Sequence, residues 1–365
     1  MKVVLCNRPN WRELSGGDVV QMLRTKESLE RDHGIETWIA ESTDDPVLAS
    51  ADLVHVFNVQ NPAIGLAYVQ AARRLGKPTA LSPIFWDLSH AAFVANLARK
   101  GQYRLGEAWK RRKRVFDWVA RMSGTVLGRP SYYSPTYRRA VREMVELADV
   151  LLPNSSEEAD QLFRFTGSEH KQTHVVVNAI DFETFPPGYD SRAGVIMAAR
   201  IEPTKNAMGA LLAMEGLGEP LTLVGRSVDE GYAQAVRHQA VSGTVTIIES
   251  NLDQSELAAM YRRSRVHVLP SFRESPGLTT LEALSSGCAV VVSERDYCPV
   301  DTYFSELLGK SVFMCDPYRP ESIRAAIGQA LVASDLPDLG SWRERFSWGQ
   351  AAQQTLHAYR TLTSA

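Results

Sequence analysis

The chain has 365 residues and a net charge of −2, and its 44% hydrophobic and 22% charged residues are typical of a soluble globular protein of two or three domains. No run of 18 or more apolar residues occurs, so the sequence predicts no transmembrane helix, and the opening MKVVLCNRPN becomes polar too soon for a signal peptide. The spacings of common metal sites, H-E-x-x-H and D-x-D, do not occur either, so no metal cofactor is expected.

Short apolar runs alternate with helical patterns along the whole chain. These runs are continuous in valine, isoleucine and leucine rather than alternating, which is typical of parallel strands buried on both faces. Helices between them predict right-handed crossover connections. Strands are predicted at 2–6, 35–39, 52–57, 78–82, 148–152, 174–178, 194–199, 221–225, 245–249, 265–269, 289–293 and 311–315.

A stretch rich in proline and glycine, 182–194, is the predicted linker between two halves of this pattern. We therefore predict an α/β fold with two Rossmann-like, doubly wound domains, 1–185 and 186–340, facing each other across a cleft. A helical tail follows at 341–365. Because ligands of open α/β sheets bind outside the C-terminal ends of the strands, two such sheets favour a two-substrate site.

Two glutamates lie in the stretch RESPGLTTLEALSSG, residues 273–287. The preceding run is a predicted strand, so Glu274 falls in a strand-to-helix loop and Glu282 in the first turn of the helix. The Pro-Gly pair between them leaves backbone N–H groups free at a helix N-terminus, which favours an anion. A purely structural interpretation stays open for each glutamate. Glu282 would close a capping box with Thr279, and Glu274 would be a solvated loop charge.

Two cations and a glycine pair lie at other predicted strand ends. Arg200 ends a strand and Lys205 precedes a helix in AARIEPTKNAM, so both are expected at the sheet edge that carries Glu274, where they would neutralise a diphosphate. Gly16 and Gly17 follow the first strand and would let a ligand approach the backbone. Ordinary surface cations and a plain turn are the alternatives, and the glycines form no G-x-G-x-x-G motif.

Together, the E-x7-E pair, the R-x4-K pair and the Gly-Gly loop resemble the motifs of retaining nucleotide-sugar glycosyltransferases of family 4, also termed group 1, which have the GT-B fold. ADVLLPNSSEEADQLF and VVVNAIDFETF resemble the family's inter-domain segment. FSWGQAAQQTLHAYRTL resembles its C-terminal helix, which crosses back to the first domain. The resemblance covers nearly the whole chain and is most specific from 145 to 360.

The resemblance implies a role for each motif residue. Arg200 and Lys205 would bind the donor diphosphate, Glu274 would lie beside the donor sugar as a catalytic residue, and Glu282 would hold the ribose hydroxyls. Backbone contacts to the sugar, the phosphates or the acceptor would come from Gly277, Leu278 and Thr279 in the second domain and from Gly16 and Gly17 in the first.

The chain departs from the family pattern at two places. Ala179 stands where the inter-domain segment usually has glycine. After the fourth strand, SPIFWDLSH has Trp86-Asp87 where the family often has a His-Asp pair, and His90 follows three residues later. Asp87 and His90 are therefore the candidate acceptor-side catalytic groups. A helix-surface position is the alternative for His90, and His55 is expected to pack against the sheet.

The charge of the chain is unevenly distributed. Residues 99–142 contain 13 lysines and arginines against two acids, Glu107 and Asp117, so this segment is +11 and the remainder −13. The cations are mixed with aromatics, which include Trp109, Phe116, Trp118, Tyr132, Tyr133 and Tyr137. This mixture favours an anionic membrane surface over two alternatives, a solvated helix face and a nucleic-acid patch.

The resemblance implies a metal-independent enzyme that moves a sugar from a nucleotide diphosphate sugar to a glycan or lipid-linked acceptor in cell-surface polysaccharide or lipopolysaccharide synthesis. The alternatives are another GT-B enzyme, such as a sugar-nucleotide epimerase, and a non-catalytic donor-binding scaffold. Four scattered cysteines without a C-x-x-C pair predict reduced thiols and a cytoplasmic location. The basic segment 99–142 would place the protein peripherally on the inner face of the membrane.

Overall fold

The computed structural model describes residues 1–363 apart from 14–15, 124, 127–128, 131, 133, 169–170, 189–191, 241–243, 251 and 334–338. By contacts between Cα atoms the chain divides into two compact units. The first unit comprises 1–86, 133–180 and 341–365, and the second comprises 87–132 and 181–340.

The described strands are Lys2–Cys6 (β1), Glu36–Ile39 (β2), Leu53–Phe57 (β3), Thr79–Ser82 (β4), Thr125–Val126 (β5), Arg129–Pro130 (β6), Val150–Leu151 (β7), Val195–Ala198 (β8), Leu221–Val224 (β9), Val245–Ile248 (β10), Val266–Leu269 (β11), Ala289–Ser293 (β12) and Val312–Cys315 (β13). The described α-helices are Gly17–His33 (α1), Pro62–Arg74 (α2), Ser89–Ala98 (α3), Glu107–Ser123 (α4), Pro135–Leu147 (α5), Ser156–Thr166 (α6), Ala207–Met214 (α7), Glu230–Ala240 (α8), Gln254–Arg263 (α9), Leu278–Ser285 (α10), Val300–Phe304 (α11), Pro320–Val332 (α12), Gly340–Arg345 (α13) and Trp348–Thr363 (α14). Short 3₁₀ turns occupy Pro46–Leu48, Pro203–Lys205 and Ser305–Leu307.

The first unit is built on a parallel sheet with the strand order β2-β1-β3-β4-β7. Its central strands β1, β3 and β4 are almost entirely buried, as their continuous apolar runs predict. The C-terminal helix α14 packs against α1 in this unit, where Leu356 and Tyr359 join the core formed with Val3 and Leu5. The strand order reverses between β1 and β3, so the loops after these two strands adjoin the crevice in which doubly wound sheets bind ligands.

The second unit is built on a parallel sheet with the order β10-β9-β8-β11-β12-β13. In the numbering of that sheet alone this is 3-2-1-4-5-6, the order of the dinucleotide-binding Rossmann fold. One core lies on the face covered by α7 and α12. Successive side chains of a strand point to opposite faces of the sheet, and those of Val195, Val266, Val268 and Val291 point to this face. The order reverses between β8 and β11, which places the ligand crevice at the ends of these two strands.

The structure corrects the sequence predictions at two points in the fold. Residues 174–178 are not a strand. After a single bridge between Leu151 and Thr173, His174 N donates to Leu151 O and Val176 N donates to Pro153 O beyond the end of β7, but no ladder forms. Residues 87–132 were assigned to the first domain, but α3 and α4 make their contacts in the second unit. The other predicted strands are present, and the four cysteines are buried and form no disulfides.

Candidate active site

The reversal point of the second sheet gathers the predicted donor residues. Arg200 follows β8, Lys205 ends the 3₁₀ turn Pro203–Lys205, and Glu274 lies in the loop after β11. The two loops are joined by the backbone, because Phe272 N donates to Thr204 O over 2.9 Å. The sequence therefore places these groups at the edge of the sheet where a ligand is expected.

Lys205 and Glu274 form the central contact of this cluster. Lys205 Nζ donates to Glu274 Oε1 over 2.6 Å, and Glu274 is only 8% exposed. The Glu274 backbone N–H is fixed in turn by the carbonyl of Tyr297 at 2.8 Å. Glu274 is thus a buried, paired carboxylate, and its interpretation as a solvated loop charge is wrong.

Asn206, which the sequence did not single out, fixes the turn that carries Lys205. It has a positive φ of 64°, and its side chain caps α7 by accepting from Gly209 N over 3.2 Å. The same amide donates to the carbonyls of Pro270 and Pro317 at 3.1 and 2.8 Å. Asn206 therefore ties Lys205 to the ends of β11 and β13.

The helix α10 begins two residues earlier than the capping-box interpretation requires. Its N-cap is Gly277, with a φ of 92° and no side-chain cap, so Glu282 lies beyond the first turn and Thr279 is not the cap. The capping box is therefore wrong. A Cβ built on Gly277 would lie 3.2 Å from Glu274 Oε2, so glycine here allows the close approach of this carboxylate.

The start of α10 presents unused backbone donors. In the described chain, the N–H groups of Gly277, Leu278 and Thr279 donate to no backbone carbonyl, whereas Thr280 N already bonds Gly277 O at 3.0 Å. The first N–H groups of a helix lack intrahelical partners and favour an anion. The three predicted amides therefore lie beside Glu274 with their hydrogen-bonding capacity free.

Glu282 is a half-buried carboxylate on the next turn of α10. It makes no hydrogen bond or ion pair with any residue that the structure describes. Burial raises its pKa to about 7. A carboxylate kept without partners in a partly buried position is a candidate ligand-binding group, since such a position costs stability unless a ligand uses it.

Arg200 differs from Lys205 in its surroundings. Its side chain is 55% exposed and its guanidinium lies 3.0 Å from Glu202 Oε1. The same Glu202 oxygen accepts from Thr204 Oγ1 over 2.8 Å. Arg200 is thus a surface cation at the crevice edge, with freedom to turn toward a ligand that a buried cation would not have.

Asp87 and His90, predicted on the acceptor side, both fall in the second unit. Asp87 Oδ1 accepts from Ser89 N over 2.6 Å at the start of α3. His90 Nδ1 lies 3.0 Å from the Tyr318 hydroxyl, and its ring packs edge-on against Tyr297. Burial, with the nearby charges of Lys113 and Lys110, lowers the pKa of His90 to about 3.

This arrangement decides two interpretations of His90. It is half-buried among tyrosines, so the helix-surface interpretation is wrong. It is also neutral at physiological pH and so weak a base that it suits a hydrogen-bonding role better than proton transfer. Helix α3 packs against the turn Pro203–Lys205, and Tyr297 contacts both His90 and the Glu274 backbone, so His90 belongs to the donor-side cluster.

In the first unit, Gly16 and Gly17 begin helix α1 near the end of β1. A Cβ on Gly16 would lie 2.7 Å from Asp18 Oδ1, whereas one on Gly17 would meet nothing within 4 Å. Asp18 Oδ2 in turn lies 3.2 Å from both Arg8 Nε and Asn58 Nδ2. Two strand ends that flank the reversal point of this sheet, after β1 and β3, therefore contribute polar groups that sequence reasoning did not select.

His55 has a structural place in the first unit. Its ring nitrogens lie 2.6 Å from the Tyr359 hydroxyl and 2.9 Å from Ser82 Oγ, so it links β3 to β4 and α14. Burial lowers its pKa to about 3. The expectation that His55 packs against the sheet is confirmed.

Residues 184–352 match the family model described as glycosyl transferases group 1. This match covers 169 of the 365 residues and marks this part of the chain as similar to the group 1 glycosyltransferases. D-inositol 3-phosphate glycosyltransferase from Mycobacteroides abscessus is 26% identical, over 94% of this chain and 84% of the relative. The enzyme of the same name from Streptomyces bingchenggensis is 27% identical, over 76% of this chain and 67% of the relative.

Solved structures with the same architecture span nearly all of this chain. Sucrose-phosphate synthase from Thermosynechococcus elongatus matches 100% of this chain and 99% of its own with a TM-score of 0.70 and 16% identity. Anabaena HepE, in complex with UDP and glucose, matches 99% of this chain and 100% of its own, with a TM-score of 0.68 and 14% identity. These likenesses show the predicted GT-B fold with two Rossmann-like α/β domains.

Proposed function

We propose that this protein is a group 1 glycosyltransferase that transfers a sugar, with retention of configuration, from a nucleotide diphosphate sugar to a glycan or lipid-linked acceptor in cell-surface polysaccharide synthesis. The observation that carries the proposal is the arrangement around α10. An unpartnered carboxylate, Glu282, follows three free backbone amides, and these adjoin the Lys205–Glu274 ion pair. A molecule with both hydroxyls and a diphosphate uses all three features.

The charges of the cluster suit departure of a nucleoside diphosphate. The anomeric C–O bond breaks through an oxocarbenium-like state, and negative charge grows on the leaving diphosphate. Lys205 and the amides at 277–279 would receive that charge. Arg200 would turn from Glu202 to join them. We expect no metal requirement, because these cationic and dipolar groups supply the stabilisation.

Glu274 would act on the sugar and Glu282 on the nucleoside. Glu274 stays ion-paired to Lys205 at 2.6 Å, so the cation that binds the diphosphate and the carboxylate beside the sugar are positioned as one unit. Glu282, with both oxygens uncommitted, would accept hydrogen bonds from the two ribose hydroxyls. Asp87 and His90, next to the donor-side cluster, would contact the acceptor where it meets the donor sugar, with His90 as a neutral hydrogen-bonding group.

Retention in this proposal comes from attack on the face that the diphosphate leaves. The acceptor oxygen forms the new C–O bond as the bond to the diphosphate breaks, and the acceptor proton passes to a leaving phosphate oxygen. Atoms and charges then balance without a second carboxylate or an external base. Measuring the anomeric configuration of the product by NMR tests this step, and an inverted product would contradict it.

The first test is donor binding. We expect one class of nucleotide sugar among UDP-, GDP-, ADP- and dTDP-sugars to raise the Tm without added metal, and UDP-sugars come first because structural neighbours were solved with UDP. A ligand at about 100 times its Kd adds about 2.7 kcal/mol to the free energy of unfolding. Glu282→Gln, which keeps the shape of the side chain, should lose this shift, and loss of the shift in EDTA would contradict metal independence.

The same samples separate the competing functions. Release of nucleoside diphosphate that depends on an added glycan or lipid-linked acceptor supports the transferase. Conversion of the nucleotide sugar without an acceptor would instead indicate an epimerase. Donor binding without turnover on any acceptor would indicate a non-catalytic scaffold.

A further inference from the structure

Helix α4 has two of its lysines on the inner face and several apolar side chains on the outer face. On its inner face Lys110 pairs with Asp316 at 2.8 Å, and the buried Lys113 pairs with Asp117 at 2.6 Å. Trp109 and Phe116 on the same face pack on a cluster that contains Phe272, Tyr297 and Tyr318. The inner face is therefore fully used by contacts within the second unit.

The outer face carries an apolar stripe that nothing in the described chain covers. Val115, Trp118, Val119 and Met122 follow helical spacing and are 51–76% exposed. Four of the ten large hydrophobic side chains exposed in the described chain are on this one helix. The other six are spread over the two units, which is ordinary for a protein surface. A contiguous exposed stripe instead marks a surface that meets an apolar phase or partner.

Arginines flank this stripe. Arg111, Arg112, Arg114 and Arg121 are exposed on α4, against a single exposed acid, Glu107. The remaining basic residues of the predicted patch that are described, such as Arg138 and Arg142, lie on α5 in the first unit. The predicted basic segment 99–142 is thus divided between the units, and it includes positions outside the described residues. The combination of apolar stripe and arginines is confined to α4.

We propose that the outer face of α4 binds an anionic lipid surface, with the stripe Val115, Trp118, Val119 and Met122 inserted among the acyl chains and the flanking arginines at the phosphates. An interfacial helix is expected to be cationic on its polar side and to carry tryptophan and aliphatic residues on the other. No helix of the described chain is long and apolar enough to cross a membrane, so α4 would lie in the plane of the interface.

A lipid surface fits this face better than a protein partner does. A stable protein interface buries roughly 800 Å² on each side and uses about 20–30 residues, far more than a stripe of four. Nucleic acid would use the arginines but leave the stripe in water. An acyl-chain boundary accepts both, since the arginines meet lipid phosphates while the apolar side chains leave water.

The position of α4 next to the proposed active site favours a lipid-linked acceptor, and this step rests on the proposed function. The inner face of α4 packs on the cluster that contains Tyr297, whose carbonyl accepts from Glu274 N. A helix is about 10 Å in diameter, so docking α4 on a bilayer would hold the Glu274 loop close to the membrane surface. A lipid-linked acceptor would be presented there.

The test is co-sedimentation of the full chain with vesicles of neutral phosphatidylcholine, or of phosphatidylcholine with about a third of phosphatidylglycerol. We expect the wild type to bind the anionic vesicles and to bind the neutral ones at least tenfold more weakly. A triple variant of α4, Trp118→Ser, Val119→Ser and Met122→Ser, should lose at least tenfold in affinity. A matched control with three exposed apolar residues replaced elsewhere, Trp38→Ser, Val228→Ser and Val332→Ser, should bind as the wild type does.

A charge variant, Arg111→Gln, Arg114→Gln and Arg121→Gln, should lose the preference for anionic vesicles. Equal binding of the α4 triple variant and the wild type, or no binding of the wild type to either vesicle, would overturn the proposal. A wild-type dimer in light scattering that the α4 triple variant converts to a monomer would assign the stripe to a second copy instead. Nucleotide-sugar Tm shifts on the same variants should match the wild type, so failure of the proposed function would be seen separately.

Discussion

Lys205 Nζ lies 2.6 Å from Glu274 Oε1, so a cation proposed to bind the donor diphosphate is held, without a ligand, by the carboxylate proposed to act beside the sugar. The pair is nearly buried on the Glu274 side and about one-fifth exposed on the lysine side. Its two members are 69 residues apart in sequence and are joined only by the fold. The proposed chemistry and the local stability therefore depend on the same contact.

Replacing one member of this pair should lower both activity and stability, and replacing both should separate the two effects. Glu274→Gln leaves Lys205 without its counter-charge, and breaking a buried pair in this way costs up to about 3–5 kcal/mol. We expect turnover to fall at least 100-fold. The double variant Glu274→Gln/Lys205→Met should regain much of the lost stability and none of the activity. Tm and product release measured on the wild type, Glu274→Gln, Lys205→Met and the double variant check this, and a double variant less stable than both single variants would contradict it.

Glu282→Gln should stabilise the ligand-free protein, and more so at high pH. Burial raises the Glu282 pKa from 4.5 to about 7, so the folded state holds the proton more tightly than the unfolded state does. Stability from this group is complete below about pH 4.5 and is lost as pH rises through 7. We expect a Tm gain at pH 8, equivalent to on the order of 1 kcal/mol after allowance for partial exposure, and little gain at pH 5.

Thermal scans of wild type and Glu282→Gln at pH 5 and pH 8 measure the Tm difference that tests this prediction. Glu306→Gln, at a residue outside the proposed site, serves as a control for removing one negative charge. An equal Tm change at both pH values would mean that Glu282 is solvated and ionised throughout, and the ribose assignment would lose its physical basis.

Gly277→Ala should weaken donor binding more than it weakens the fold. The new Cβ would meet Glu274 Oε2 at 3.2 Å, and the φ of 92° is unfavourable for alanine, at an expected cost of about 1–3 kcal/mol. The carboxylate must move, and with it the Lys205 ammonium. We expect Kd for the nucleotide sugar to rise about tenfold or more by calorimetry. Gly328→Ala, within α12 and with nothing within 4 Å of the new Cβ, is the matched control and should leave Kd unchanged.

Asn206→Gly should lower stability through lost hydrogen bonds and not through backbone strain. Glycine accepts the φ of 64° that Asn206 has, but it removes the bonds to Gly209 N, Pro270 O and Pro317 O. At about 0.5–1.5 kcal/mol for each bond, the expected loss is roughly 2–4 kcal/mol. Chemical denaturation measures it. Donor affinity should fall as well, because Asn206 fixes the turn that ends in Lys205; unchanged affinity would show that the turn holds its place without these bonds.

Local sequence patterns were sufficient to predict the strands and the site residues of the second unit. Continuous apolar runs mark buried parallel strands, and they located β8, β11 and β12 to within a residue. Because parallel strands align their C-terminal ends, Arg200, Lys205 and Glu274 could be expected at one sheet edge before any contact was known. The start of α10 was misplaced because Thr279 and Glu282 satisfy the capping-box spacing, whereas positive φ at Gly277 is a backbone property that spacing does not reveal.

The features that the sequence did not predict depend on contacts between residues far apart in the chain. Helix α4 was assigned to the first domain because of its position in the chain, but Lys110 pairs with Asp316, 206 residues later. The tyrosines that surround His90 come from 297 and 318, and neither stands in a motif. The stretch 174–178 has the composition of a strand but lacks a partner that could complete a ladder. No pattern within a short window carries this information.

The placement of α3 and α4 has a consequence for synthesis of the chain on the ribosome. These helices leave the ribosome before any strand of the second unit, on which they later pack, has been made. At about 5–20 residues per second, Trp109 and Phe116 wait on the order of 10–40 s for Tyr318 to be translated. During that interval α4 exposes both its apolar stripe and its future inner face. Nascent chains of this protein are thus expected to need shielding at this segment, by a chaperone or by an early encounter with lipid.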